Sequence, residues 1–82
     1  MFSSPTCPPC NHIKPFINEM KEDFSSFQWV DVNIKDDPQN IRGRFGVQTV
    51  PTMVTVRDGN TVGTANGTNA MGYLRILRQL QQ

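Results

Sequence analysis

Downstream of Cys7, apolar residues recur at Ile13, Phe16, Ile17, Met20 and Phe24. These three- and four-residue steps lay one apolar stripe along a helix and predict a first helix from Pro8 to about Phe24. Pro8 and Pro9 fall in its first turn, where a missing amide forfeits no intrahelical bond, so they start the helix. Pro15 lies a turn further in, removes one backbone bond and is expected to kink it. The run FQWVDVNI, Phe27 to Ile34, is β-branched and aromatic and predicts a strand, with Phe27, Trp29, Asp31 and Asn33 on one face. In KDDPQNIRGRFGV an Asp cap, Pro38 at the first helical position, apolar Ile41 and Phe45, and Gly46 as a stop predict a short second helix. Two alternating runs in PTMVTVRDGNTVGTA, joined around Asp58-Gly59-Asn60, predict a β-hairpin. Met71, Leu74, Leu77 and Leu80 follow the candidate caps Thr68 and Asn69 and predict a C-terminal helix. Ile13, Phe16, Ile17, Leu74 and Leu77 are assigned to the core.

With Met1 to Ser4 counted as a stub of strand, the order is βαβαββα. This is an α/β arrangement, one four-stranded mixed sheet with three helices on its faces. The chain has 82 residues, room for one small core, and is expected to be a single domain over 1–82. Eight basic residues against seven acidic ones leave it nearly neutral, so composition offers no argument for nucleic acid or an anionic membrane as partner. No apolar run approaches the ~20 residues of a membrane helix, and MFSSPTC lacks the basic start and apolar middle of a signal peptide. A soluble, cytoplasmic protein is the expectation.

In a reducing compartment a close cysteine pair is more often catalytic or metal-binding than structural. Cys7 and Cys10, two prolines apart, close too short a loop to stabilise a fold much. Cys-x-x-Cys also opens many zinc sites, and His12 is nearby, but a closed structural site needs four ligands and there is no second cysteine pair. No metal is expected, and His12 reads as an exposed polar residue. Redox chemistry fits the placement better. A thiolate at a helix N-terminus is favoured by unpaired amides and the positive end of the helix dipole, which makes Cys7 the nucleophile. Cys10, one turn along, can attack a mixed disulfide at Cys7 and release the substrate reduced.

The stretches CPPCNHIKP, VQTVPT and DGNTVGTANG together resemble the thioredoxin superfamily, in the manner of a minimal thioredoxin or glutaredoxin-like protein, over nearly the whole chain. The resemblance implies a thioredoxin-like fold and a dithiol-disulfide oxidoreductase whose redox-active group is the Cys7–Cys10 disulfide, with no other cofactor. It assigns the helix-kinking proline to Pro15 and the cis-proline before the hairpin to Pro51, with Val50 free to pair with an extended substrate. Thr6, Asn66 and Gly67 are expected to rim that groove. The family's buried acid has no counterpart six residues before Cys7, where Met1 stands, and Asp31 is the candidate for proton transfer; its other reading is an edge-strand charge that deters aggregation. The implied partners are disulfide-containing proteins, with a thioredoxin-reductase-type flavoenzyme as electron donor in preference to glutathione, because TNA after Gly67 lacks the acidic pair with which many glutaredoxins hold the glutathione amine. A monomer is expected. The rival readings are an oxidant or isomerase, a glutathione-dependent glutaredoxin, and a non-catalytic binding module on the same fold.

Overall fold

The computed structural model describes residues 1–81. Its elements are β1 (Phe2–Ser3), α1 (Pro8–Asp23), β2 (Val32–Asn33), α2 (Ile41–Arg44), β3 (Thr52–Arg57), β4 (Asn60–Asn66) and α3 (Ala70–Gln81). They form one four-stranded sheet in the order β2-β1-β3-β4. β1 runs parallel to β2, with Phe2 opposite Val32, and antiparallel to β3, with Phe2 opposite Thr52. The βαβαββα thioredoxin-like topology expected from the sequence is therefore present.

Alternation along the strands divides the core between the two faces. Ile13, Ile17, Met20 and Phe24 of the first helix region pack with Met53, Tyr73, Ile76 and Leu77 in one cluster. Phe2, Val32 and Val47 form the other, with Ile34, Ile41, Val50 and Val54 packed against it. The hairpin is the longest piece of sheet. Its turn residues Asp58 and Gly59 both take positive φ, 53° and 80°, the backbone twist that suits a two-residue connection. Val62 is the extra residue of a bulge, since Thr55 pairs with Gly63 but Val56 with Thr61.

Four expectations need correction. The strand drawn over Phe27–Ile34 shrinks to Val32–Asn33, because β1 offers only two residues to pair with and β2 is at the edge of the sheet. The second helix starts at Ile41, not Pro38. Asn40 takes a left-handed conformation (φ 52°) that interrupts the helix, and the Asp37 carboxylate accepts the amides of Ile41 and Arg42 at 2.9 Å each. Phe16, assigned to the core, is 46% exposed; it lies about 100° around the helix from Ile17, off the stripe that Cys10, Ile13, Ile17 and Met20 bury. The inward face of α3 is set by Tyr73, Ile76 and Leu77, which leaves Leu74 half-buried and Met71 exposed.

On the Met1 side of Phe2, two segments of the described residues face each other across a gap. Extending the register of β1 backwards brings residues 28–30 opposite 54–56, and among the described residues no strand lies between them. The gap is a cavity of about 310 Å³. Val30, Phe45 and Val56, three of the large apolar side chains left exposed, line it.

Candidate active site

Ser4-Pro5-Thr6-Cys7 is a turn closed by the Cys7 amide donating to the Ser4 carbonyl at 3.2 Å, with Pro5 at the position that such turns favour. It delivers the chain from β1 into α1 with Cys7 as the N-cap in extended conformation. Pro8 and Pro9 occupy the next two positions and have no N–H to give. The first amide of the helix able to point back is therefore that of Cys10, and it donates to Cys7 Sγ at 3.2 Å.

Cys7 and Cys10 are bonded as a disulfide, with their Cα atoms 5.2 Å apart. Their surroundings differ. Cys7 is half-buried, whereas Cys10 is 4% exposed, its side chain turned into the core side of α1. Cys7 Sγ also lies 3.6 Å from the Val50 carbonyl oxygen. The Val50–Pro51 peptide bond is cis, Val50 is half-buried and Pro51 fully buried. Gly67, at φ +84°, donates its amide to the Pro51 carbonyl at 3.2 Å, which holds the end of β4 against the proline loop. Asn66, opposite Thr52, is exposed beside it. Cys7, Val50, Pro51 and Gly67 are thus drawn together at one end of the sheet.

Thr6 and Asp31 are placed otherwise. The Thr6 hydroxyl is bonded to Ser4 Oγ at 3.2 Å and receives the ammonium of Lys35. It turns towards the segment after β2. Asp31 is not a buried acid: its side chain is 60% exposed and ion-paired with Lys21 at 2.6 Å. A second cavity, of about 290 Å³, nevertheless extends along the α1 side of β1 from Cys10 to this pair, passing Ser3, Ile17 and Asn33.

Two contributors escaped the sequence reading. Tyr73, fully buried on α3, donates its hydroxyl to the carbonyls of Gly67 and Pro51 and ties the last helix to the proline loop. Burial pushes its phenol up to about 12. Lys35 is the other; the only hint of it was the Asn two residues earlier, whose side chain accepts the Lys35 amide at 3.0 Å. Among the described residues no group of three or more His, Cys, Asp or Glu side chains is arranged to hold a metal ion, and no helix is long and apolar enough to cross a membrane.

The arrangement has close counterparts among known proteins. Thioredoxin from Bos taurus is 34% identical over 68 residues, covering 83% of this chain and 64% of that protein. Thioredoxin from Haemophilus influenzae is 34% identical over 67 residues, 80% of this chain and 62% of that one. The chain thus spans a little under two thirds of the length of these curated relatives. In fold it superposes on a thioredoxin of Nicotiana alata with a TM-score of 0.85 at 24% identity, over 95% of this chain and 67% of the other. With a thioredoxin of Malassezia sympodialis the TM-score is 0.88 at 20% identity, over 99% and 73%. The family model for thioredoxin matches residues 1–78, from the first strand into the last helix, and on that match the chain belongs to the thioredoxin family.

Proposed function

We propose that this protein reduces disulfide bonds in other proteins, with Cys7 as nucleophile and Cys10 as resolving thiol. The observation that carries the reading is the asymmetry of one disulfide: a half-buried Cys7 at a helix N-terminus, beside the Val50 carbonyl that leads into β3, joined to a shielded Cys10 one turn along. In the dithiol form the Cys7 thiolate attacks a substrate disulfide. A Cys7–substrate bond forms, the substrate's own S–S bond breaks, and the departing sulfur takes up a proton. Cys10, deprotonated, then attacks Cys7 Sγ. The second substrate thiolate leaves and is protonated, and the electron pair of the dithiol has passed to the substrate, leaving the Cys7–Cys10 disulfide described above. No cofactor beyond the two cysteines takes part.

The single amide from Cys10 and the helix end are the groups available to hold the Cys7 thiolate. No cationic side chain stands between the cysteines, which supports a reductant over an oxidant whose thiolate is strongly stabilised. Val50 and Pro51, with Asn66 and Gly67 beside them and Thr6 on the β2 side of Cys7, form the surface on which an extended substrate segment pairs by strand addition. Asp31, at the far end of the cavity from Cys10, is the group through which that cavity exchanges protons. The dithiol is regenerated by a thioredoxin-reductase-type flavoenzyme in preference to glutathione, since Thr68, Asn69 and Ala70 offer no carboxylate after Gly67. The working form is a monomer in the cytoplasm.

Cys10→Ser tests the reading. The variant retains attack and loses resolution, so incubation with a disulfide-containing protein accumulates a mixed disulfide through Cys7, identified by peptide mass. Trapping through residue 10 in Cys7→Ser, with none through Cys7, reverses the assignment. No trapping in either variant and no insulin-disulfide reduction by the wild type favour a non-catalytic binding module.

A further inference from the structure

Lys35 lies 28 residues beyond Cys7 in sequence, yet its ammonium is hydrogen-bonded to the hydroxyl of Thr6, the residue immediately before the reactive sulfur. Both ends of this lysine are fixed. Its backbone is set by β2 next to β1: the Ile34 amide donates to Ser3 at 3.0 Å, and the Lys35 amide to Asn33 Oδ1 at 3.0 Å. At its tip, an ammonium can only donate, so Thr6 Oγ1 accepts from Lys35 and its own proton goes to Ser4 Oγ, 3.2 Å away. Ser4 is buried and anchors the chain of bonds. The cation is thereby placed at the rim, on the exposed surface beside Thr6.

Among the described residues no carboxylate lies within ion-pair distance of it, and the one ion pair is Lys21–Asp31. The carboxylates that follow Lys35 in sequence do not reach it: Asp37 is occupied by the amides of Ile41 and Arg42, and Asp36 forms no ion pair. The other rim residues, Thr6, Pro8, Val50, Pro51, Asn66 and Gly67, are all neutral. On such a rim a single fixed cation decides the sign of the local potential, and exposed charges a few ångströms apart still interact measurably at low salt.

Building on the reductase reading, we propose that Lys35 is a specificity-determining residue that favours substrates carrying an acidic side chain next to the cysteine attacked by Cys7. The position of the cation, one residue from Cys7 and on the side of β2, assigns the preference to the flank of the substrate that passes over Thr6. Thr6 is then the positioning residue that holds the ammonium at the rim.

The test uses three peptides, each with one disulfide, identical except for Asp, Asn or Lys beside the attacked cysteine. Second-order rates of reduction are measured with the reduced full-length chain at low and high ionic strength. The wild type reduces the Asp peptide roughly three- to tenfold faster than the Lys peptide at low salt, and the ratio shrinks as salt screens the charges. Lys35→Met brings the ratio to about one, Lys35→Glu inverts it, and Lys35→Arg, which keeps the charge, keeps the preference. Equal rates on all three peptides with the wild type overturn the inference while leaving the reductase reading intact, as does a preference that survives unchanged in Lys35→Met. Failure of the wild type to reduce any of the peptides overturns the reductase reading and this inference with it.

Discussion

Replacing Tyr73 by Phe removes one oxygen from a fully buried ring and leaves the ring's packing in place, so its cost isolates the bonds that tether α3 to the proline loop. The hydroxyl donates to the Gly67 carbonyl and, at 3.3 Å, to that of Pro51. Pro51 keeps a donor, the Gly67 amide at 3.2 Å, whereas Gly67 loses the hydroxyl. The expected loss is one net hydrogen bond plus part of the penalty for an under-satisfied carbonyl, about 1–2 kcal/mol. In a domain of this size that lowers the melting temperature by roughly 4 to 16 °C. The pH dependence gives a second reading. The folded-state value near 12 is raised above the ordinary phenol value of 10.0 because burial disfavours the phenolate. A raised value means that the protonated phenol contributes its stability in full below about pH 10 and loses it as pH climbs through 12. The stability gap between wild type and Tyr73→Phe should therefore hold from pH 7 to about 9 and close above 10. Tyr73 is the sole tyrosine, so the phenolate absorbance of the oxidised protein reports it alone while urea or thermal melts report stability. A variant as stable as the wild type at pH 7, or a phenol that ionises at its ordinary value in the folded protein, refutes the tether.

Two further expectations concern packing and charge. A Cβ at position 63 would sit 3.0 Å from Ile76 Cγ2 and 3.2 Å from Thr55 Oγ1, so Gly63→Ala should cost about 1 kcal/mol or more in chemical denaturation. At Gly72 the nearest atom is Ala65 Cβ at 3.8 Å, and Gly72→Ala should stabilise by a few tenths up to about 1 kcal/mol; the opposite ranking of the two would show the bulge to be more pliable than drawn. Asp31→Asn breaks an exposed ion pair and should change stability by less than about 1 kcal/mol, while slowing release of the mixed disulfide more than its formation in rapid-mixing experiments; no kinetic change leaves Asp31 with only its place at the edge of the sheet.

Elements whose signal is local were legible in the sequence. The 3-4 spacing after Cys7 gave α1 to within a residue, and Asp58-Gly59 gave the hairpin because only a few residue types accept the backbone conformation of its turn. The strand over Phe27–Ile34 was overdrawn for the opposite reason. Composition reports fitness for a sheet, but pairing needs a partner edge, and β1 supplies two residues of it. The start of α2 depended on Asn40 turning left-handed, which no periodicity announces. In the site, Cys7 and Cys10 stood out by their spacing, and Pro51 by its distance from them in a chain that resembled thioredoxins. Lys35 and Tyr73 did not, because each reaches the site through a contact with a residue far from it in sequence or on another element. Asp31 lay on the face that alternation gave it, at the depth of an edge strand.

Pairing is unevenly distributed over the described sheet. The peptide that carries Cys7 is rooted in a two-residue strand, held to the β2 segment by the bonds Met1 to Val30, Val32 to Met1 and Ile34 to Ser3 and to β3 through the single pair Phe2–Thr52. The loop that carries Pro51 opens a hairpin clamped beneath α3 by Tyr73. Amide exchange through small openings therefore costs least along β1 and the segment before β2, and most in β3, β4 and α3. The reactive sulfur sits on the yielding side of that seam and the surface it works against on the firm side. Under the reductase reading proposed above, the more compliant side of the site is the one that carries Cys7, and the firmer side is the one that carries Pro51.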